Sequence, residues 1–151
     1  MSRNLGLHPN RVRLFIDPAS ISSGWALFRG SELISSGTVL VEKKLPPFER
    51  LKLVYLHYLT LSNQYLAKEI EEVHIEQLPR SCHIYTHYSV CAAAIAIVSP
   101  SCSVAGDIPI SSWQKAVDWN GERAALAAYQ ERVSSEDELA AIGMGLWYVN
   151  S

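Results

Sequence analysis

Two acidic residues, Asp17 and Glu76, each follow an isoleucine at the end of a short segment that is predicted to be a strand. A sheet holds a carboxylate at the end of a buried strand in a fixed position, and carboxylate oxygens are ligands for Mg²⁺. Phosphodiester hydrolysis by two such ions, about 3.5–4 Å apart, needs several carboxylates. The pair is therefore a candidate metal site. A structural interpretation also stays open for Asp17, because an Asp before a proline commonly ends a strand in a turn.

The segments that carry these two residues are predicted to be β-strands. Residues 12–17 form an apolar run that Pro18 stops, which indicates a buried central strand. Residues 72–76 alternate charged and apolar side chains before Pro79. Further strands are predicted over 24–30 and 33–42, joined by a hairpin-like turn at Gly30 and Ser31, and over 102–106.

The rest of the chain favours helices, and the whole chain, residues 1–151, reads as a single domain without repeats or linkers. Helices are predicted over 48–68, 83–98, 113–117, 122–132 and 135–149. This order predicts an α/β fold, with a mixed five-stranded sheet flanked by helices. Acidic residues at the ends of two strands and on the last helix could then converge at one edge of the sheet.

Composition limits the class of protein. The 151 residues are 48% hydrophobic, which fits one globular domain. No apolar run reaches the roughly 18 residues of a membrane helix, and the polar N-terminus predicts a cytoplasmic protein without membrane partners. The cysteines form no CxxC pair and are expected to be buried thiols. A net charge of −2 argues weakly against nucleic-acid binding, although carboxylates reserved for metal ions explain part of it.

Three short motifs follow one another along the chain: Phe15-Ile-Asp-Pro-Ala-Ser-Ile-Ser-Ser-Gly-Trp-Ala26, Ile75-Glu76-Gln77 and Asp137-Glu-Leu-Ala140. In this order they resemble the motifs of the RuvC-type Holliday junction resolvases, nucleases of the RNase H-like superfamily. The resemblance covers almost the whole chain and would suit a bacteriophage or bacterial protein. It implies an RNase H-like fold, a homodimer, dependence on Mg²⁺ or Mn²⁺, and paired nicks across a DNA junction.

The resemblance also implies a set of metal ligands. Its catalytic, metal-binding carboxylates fall on Asp17, Glu76 and Asp137, and two ions are expected when substrate is bound. Resolvases of this type usually carry a fourth carboxylate one helical turn before the last Asp, where this chain has Ser134. Glu136 and Glu138 are the acidic alternatives. Either of them also suits the first turn of a helix, where carboxylates face the positive end of the helix dipole.

Contacts with DNA are expected outside this carboxylate set. In the resolvases an aromatic residue beyond the second motif wedges into the junction, and here Pro79 occupies roughly that place. Tyr85 or Tyr88 is therefore a candidate for stacking on an unpaired base, with a core role equally open. Arg80 and Lys115 are candidate DNA contacts, whereas nearby Trp113 is expected in the core.

The activity implied is cleavage of four-way DNA junctions, and three alternatives stay open. A related RNase H-like nuclease would cut flaps, forks or RNA–DNA hybrids. A nucleotide-binding protein of the actin-like ATPase group would share the core fold, but Asp17-Pro-Ala-Ser lacks the glycine of its phosphate loop. A catalytically inactive DNA-binding or scaffold protein would account for Ser134 and the negative charge.

Overall fold

Five strands form one mixed sheet in this protein. The structure is a computed structural model that describes residues 11–18, 22–64, 70–78 and 103–151. The strands are β1 (Val12–Asp17), β2 (Ser22–Arg29), β3 (Glu32–Leu40), β4 (Glu72–Glu76) and β5 (Ser103–Ile108). Their order is β3-β2-β1-β4-β5. Strand β2 is antiparallel to β1 and β3, whereas β1, β4 and β5 are parallel. The sheet predicted from the sequence is confirmed.

The helices of the described ranges flank this sheet. They are α1 (Pro47–Gln64), α2 (Ile110–Ala116), the single turn α3 (Ala127–Gln130) and α4 (Glu136–Val149). None of them is both long and apolar enough to cross a membrane. The helix predicted over 83–98 lies outside the described residues.

The continuous helix predicted over 122–132 is wrong. Its place is taken by a 3₁₀ turn, Ala124–Leu126, followed directly by α3. Arg123 has a φ of 51°, a left-handed conformation that a right-handed helix cannot include. The Arg123 side chain donates to the carbonyl of Trp119 at 2.6 Å and lies over its ring. These contacts fix Arg123 outside the helix.

Successive side chains of each strand point to opposite faces of the sheet, so the hydrophobic core has two layers. Leu14 and Ile16 of β1 pack with Tyr58 of α1 on one face of the sheet. Between them, Phe15 points to the other face and packs with residues of α2 and α4, such as Trp113 and Ile142. We call these the α1 face and the α4 face.

The topology gathers several element ends at one edge, which we call the carboxyl end of the sheet. Strands β1, β4 and β5 all end there, because they are parallel. Strand β3 also ends there, since it and β1 are both antiparallel to β2. Helix α1 begins at this end and returns toward the start of β4, over a length of about 27 Å. Side chains from distant parts of the sequence therefore meet there.

Candidate active site

Asp17 and Glu76 lie on neighbouring strands at the carboxyl end of the sheet. Asp17 is the last residue of β1 and Glu76 the last of β4, and the register pairs Ile16 with Ile75 just before them. Both acidic side chains fall on the α4 face, because Ile16 and Ile75 pack on the α1 face. The convergence expected from the sequence is therefore present for these two residues.

A third carboxylate reaches them from the other side of β1. Asp137 lies in the first turn of α4, and its Oδ2 accepts a hydrogen bond from the hydroxyl of Ser22 at the start of β2. The side chain of Asp17 is hydrogen-bonded to that of Asp137. Sequence reasoning did not identify Ser22, which fixes the position of the Asp137 carboxylate. Elements that are far apart in the sequence thus assemble one acidic cluster.

Gly24 allows this approach of α4 to the sheet. It is paired with Asp17 in the register of β1 and β2, and it belongs to the first sequence motif. A Cβ atom at this position would lie 1.8 Å from the carbonyl oxygen of Asp137 and 2.5 Å from the nitrogen of Glu138. The backbone of the first turn of α4 therefore lies directly against β2, with room for hydrogen only.

The electrostatics of the cluster disfavour negative charge on Asp17. Burial is the largest cause that raises its pKa to about 8, and the charges of Glu76 and Asp137 and the hydrogen bond from Asp17 to Asp137 raise it further. All these causes act in the same direction. A crowded, buried set of carboxylate oxygens is the donor chemistry that a hard divalent cation stabilises.

The donor set fits Mg²⁺ or Mn²⁺, although the side chains are not yet in a ligating arrangement. Across the described ranges, no three His, Cys, Asp or Glu side chains are placed to hold a metal ion as they stand. With a pKa of about 8, Asp17 is protonated near neutral pH in the metal-free chain. Loss of this proton and rotation of the side chain would free its oxygens for a cation.

Trp113 of α2 supports Glu76. Its Nε1 donates a hydrogen bond of 2.6 Å to Oε2 of Glu76, and this bond opposes the effect of burial, which raises the pKa of Glu76. The ring itself is 1% exposed, so the expected core position of Trp113 is confirmed. The added contact with Glu76 follows the rule that a buried indole N–H usually finds an acceptor. Trp113 therefore favours the ionised form of Glu76.

Replacement of Trp113 with Phe is expected to weaken Mn²⁺ binding about tenfold, because partners of a ligand orient it and keep it ionised. Trp25→Phe is a matched control, since the Nε1 of Trp25 is buried and makes no hydrogen bond within the described part of the chain. Calorimetric titration of both variants with Mn²⁺ measures the effect. Equal affinities of the two variants would contradict a supporting role for Trp113.

The other acidic residues of the first turn of α4 have different partners. The carboxylate of Glu138 is buried and accepts hydrogen bonds from the hydroxyl of Ser36 at 2.6 Å and from the hydroxyl and N–H of Ser134 at 2.7 and 2.9 Å. Glu136 is paired with Arg123 at 2.7 Å, and 64% of its side chain is exposed. Ser135 caps the helix by accepting from the N–H of Glu138.

These contacts favour the structural interpretation of Glu136, Glu138 and Ser134. Glu138 and the two serines form a capping network at the start of α4, in which a carboxylate and hydroxyls satisfy free backbone donors. The interactions that shift the pKa of Asp17 come from Glu76 and Asp137, not from Glu136 or Glu138. Asp137 is thus the acidic residue of this turn that contributes to the cluster.

The predicted DNA contacts are only partly described. Lys115 is exposed on α2, the helix that follows the end of β5 and so starts at the carboxyl end of the sheet. Arg80, Tyr85 and Tyr88 lie outside the described residues. Lys115 therefore remains a candidate phosphate contact on the β5 side of the cluster.

The metal-free protein is expected to lose stability as the pH rises from about 4 to about 8. The pKa of Asp17 is about 8 in the folded chain against 3.8 for the free side chain, so the folded state binds the extra proton in this interval. The free energy of unfolding should fall by up to about 1.4 kcal/mol per pH unit and level off above pH 8. Urea unfolding in EDTA at several pH values measures this slope. Asp17→Asn removes the contribution of Asp17 to this slope, while Glu76, whose pKa is also raised by burial, continues to contribute. Identical slopes in the two proteins would contradict the prediction.

Comparison with known proteins relates the fold to solved structures. No known protein-family model matches the sequence, and no curated protein matches it. RuvC from Thermus thermophilus in complex with a Holliday junction substrate is similar in structure, with a TM-score of 0.70, 16% identity, and coverage of 90% of each chain. A second Thermus thermophilus RuvC structure has a TM-score of 0.65 and 15% identity, covering 90% of this chain and 92% of the other. The chain therefore has a RuvC-type, RNase H-like fold, which confirms the expectation from the sequence motifs.

Proposed function

We propose that this chain is a divalent-metal-dependent endonuclease that cuts branched DNA, with the four-way junction as its main substrate. The observation that carries the proposal is the convergence of Asp17, Glu76 and Asp137 at the carboxyl end of the sheet. Buried carboxylates in such a cluster cost stability unless a cation compensates them, and this cost is typical of a functional site. The fold supports the same conclusion, since a RuvC of this fold has been solved with a Holliday junction substrate.

Each residue of the proposed site has a distinct task. Asp17, Glu76 and Asp137 would hold Mg²⁺ or Mn²⁺, two ions when DNA is bound. The ions supply Lewis acidity and an activated water for phosphodiester hydrolysis. Ser22 positions the carboxylate of Asp137 through its hydroxyl, and the indole N–H of Trp113 favours the ionised form of Glu76 against the effect of burial. Burial of Asp17 means that its oxygens become ligands only after its proton is lost.

Paired nicks on opposite strands require two active sites, so we infer a homodimer as the active form. One chain contains a single cluster of this kind within its described residues. A symmetric dimer would present two clusters related by a two-fold axis, and a four-way junction can adopt the same symmetry.

The direct test is cleavage by the purified chain in Mg²⁺, Mn²⁺ or EDTA. The substrates are end-labelled four-way junctions, flaps, replication forks, RNA–DNA hybrids and linear duplex. We expect metal-dependent nicks at symmetric positions of the junction and little cutting of the duplex. Sedimentation of the same preparation should show a dimer.

The substrate panel separates the alternatives. Cleavage of flaps, forks or hybrids without cleavage of junctions would retain the nuclease and reject the junction. A folded protein that cuts none of these substrates with either metal would reject the proposed function as a whole.

A further inference from the structure

A band of exposed side chains lies between the end of β3 and the first turn of α1. It consists of Leu40, Lys43, Lys44 and Phe48, and we call it the β3–α1 rim. Leu40 is 76% exposed and Phe48 is 85% exposed, and both lysines are also exposed. Nearby Leu45 packs against the core, which anchors the segment between the exposed residues. The rim therefore presents two large apolar side chains and two cations on an anchored loop.

Strand register places the start of the rim near the acidic cluster. Asp17 of β1 is paired with Gly24 of β2, and Gly24 is paired with Thr38 of β3. Leu40 therefore lies two strands away from Asp17 and two residues beyond the position level with it. With about 4.8 Å between strands and 3.4 Å per residue, the Cα atoms of Leu40 and Asp17 are about 12 Å apart. Proximity to the site thus follows from backbone pairing alone.

The first residue of the rim, Leu40, lies on the same face of the sheet as the cluster, whereas Phe48 belongs to α1, which packs on the other face. The hydroxyl of Thr38 is hydrogen-bonded to that of Ser135 at the start of α4, so Thr38 points to the α4 face. Leu40 points the same way, because alternate residues of a strand share a face. A polymer bound across the three carboxylates would therefore meet Leu40 and then the lysines that follow it.

Positive charge flanks the cluster on both sides. Lys43 and Lys44 lie beyond the β3 edge, and in the described part of the chain neither of them takes part in an ion pair. Exposed Lys115 lies on the β5 side. The five strands span about 19 Å, which corresponds to between 5 and 6 base pairs at 3.4 Å each. Exposed Glu42 is the one opposing charge between Leu40 and Phe48.

We propose that the β3–α1 rim is a DNA-binding surface of the site. Lys43 and Lys44 bind phosphates on one side of the cleaved bond, and Phe48 stacks on an unpaired base where DNA strands separate. The assignment rests on the proposed function, because the polymer must pass over the acidic cluster. Adjacent cations and an exposed aromatic ring are the pairing by which proteins bind DNA with accessible bases. The two lysines favour DNA over a second copy of this chain, because DNA carries one negative charge per about 1.7 Å of helix axis whereas this chain has a net charge of only −2 over 151 residues.

The phosphate contacts are tested by the double variant Lys43→Ala/Lys44→Ala. Anisotropy titrations of labelled four-way junction are done in EDTA over a range of salt concentrations, so that no cutting occurs. We expect the slope of log affinity against log salt to fall by about 2, and the affinity at 0.1 M salt to fall at least tenfold. Arg29→Ala is the matched control, because Arg29 is an exposed cation at the end of the sheet that is remote from the acidic cluster. This variant should bind the junction as wild type does.

The stacking contact is tested by Phe48→Leu and Phe48→Trp. Leu keeps an apolar side chain without an aromatic face, so binding of a junction with unpaired bases at its centre should weaken about tenfold. Trp should restore it, and linear duplex should bind all three proteins equally. Ile34→Ala controls for loss of an exposed apolar side chain, since Ile34 lies near the other end of β3.

The outcomes distinguish the rim from the proposed function. If wild type cuts junctions while the rim variants bind and cut as it does, the rim is not a DNA contact and the proposed function stands. Phe48→Leu could instead convert a dimer to monomers while binding DNA as wild type does at the same concentration of folded chain. The rim would then be a contact between two copies of the chain, and its assignment as a DNA-binding surface would be overturned. If wild type neither binds nor cuts any branched DNA, the proposed function is rejected and the rim assignment with it.

Discussion

Replacement of Asp17 with Asn is expected to abolish DNA cleavage and to stabilise the metal-free fold. Cleavage should fall at least 1000-fold, about 4 kcal/mol of transition-state stabilisation, because the amide cannot replace a shared anionic ligand. The fold should gain on the order of 3 kcal/mol at pH 7, since Asn has no proton to lose whereas Asp17, with a pKa of about 8, resists ionisation in the folded chain. One substitution thus separates function from stability.

The measurement combines single-turnover cleavage with urea unfolding, each with EDTA and with Mn²⁺. Wild type should be stabilised by Mn²⁺ more than Asp17→Asn is, because ligand binding to the folded state adds to its stability. Glu32→Gln, which removes an exposed carboxylate at the start of β3, should change neither quantity. If the Asp17→Asn protein still cleaved DNA, the acidic cluster would not take part in the reaction. A non-cleaving but destabilised one would mean that the anion of Asp17 supports the fold.

The two strand-end carboxylates were predictable from the local pattern of residues. Residues 12–17 are an apolar run that ends in an acidic residue before a proline. This pattern predicts a strand and places Asp17 at the end of that strand, as the structure has it. For Glu76 the alternation over 72–76 does the same. Side-chain direction then follows from the period of two residues in a strand. The parallel pairing of β1 with β4, which brings the two carboxylates together, is a finding of the structure and was not predicted from these patterns.

The role of Asp137 was not predictable from local pattern. Three consecutive acidic residues, Glu136 to Glu138, open α4, and neighbouring residues of a helix point about 100° apart. Which of them faces Asp17 depends on how the helix lies on the sheet. Partners that are distant in the sequence, such as Ser36 for Glu138, determine that orientation. The family resemblance therefore identified Asp137, while the periodicity of the helix could not.

Contacts between side chains on separate elements were likewise beyond the sequence. Ser22 and Trp113 are ordinary residues of a strand and a helix until the fold brings them to Asp137 and Glu76. The left-handed conformation of Arg123 interrupts the predicted helix, and its side chain is held both by Trp119 and by Glu136 of the last helix. Local propensity is a weak guide wherever tertiary contacts compete with it.

Replacement of Gly24 with Ala is expected to disrupt the site through the backbone, without a chemical change to any of the three carboxylates. The added Cβ would lie 1.8 Å from the carbonyl oxygen of Asp137, whereas real Cβ contacts are rarely below 3.0 Å, so the first turn of α4 must move by more than 1 Å. A displacement of this size costs about 100-fold in activity when it shifts a ligand. Overpacking between α4 and β2 should lower the free energy of unfolding by about 1–3 kcal/mol.

Gly106→Ala is the matched control, because a Cβ at Gly106 of β5 would meet nothing within 4 Å. Both variants add one methyl group to a strand, and only Gly24→Ala should lose activity and stability together. Displacement of Asp137 should also lower the pKa of Asp17, since a neighbouring charge and a hydrogen bond that raise it are lost. The pH interval over which stability falls in EDTA should therefore end at a lower pH in Gly24→Ala. Equal activity and equal pH intervals in the two variants would mean that contact between α4 and β2 does not set the geometry of the three carboxylates.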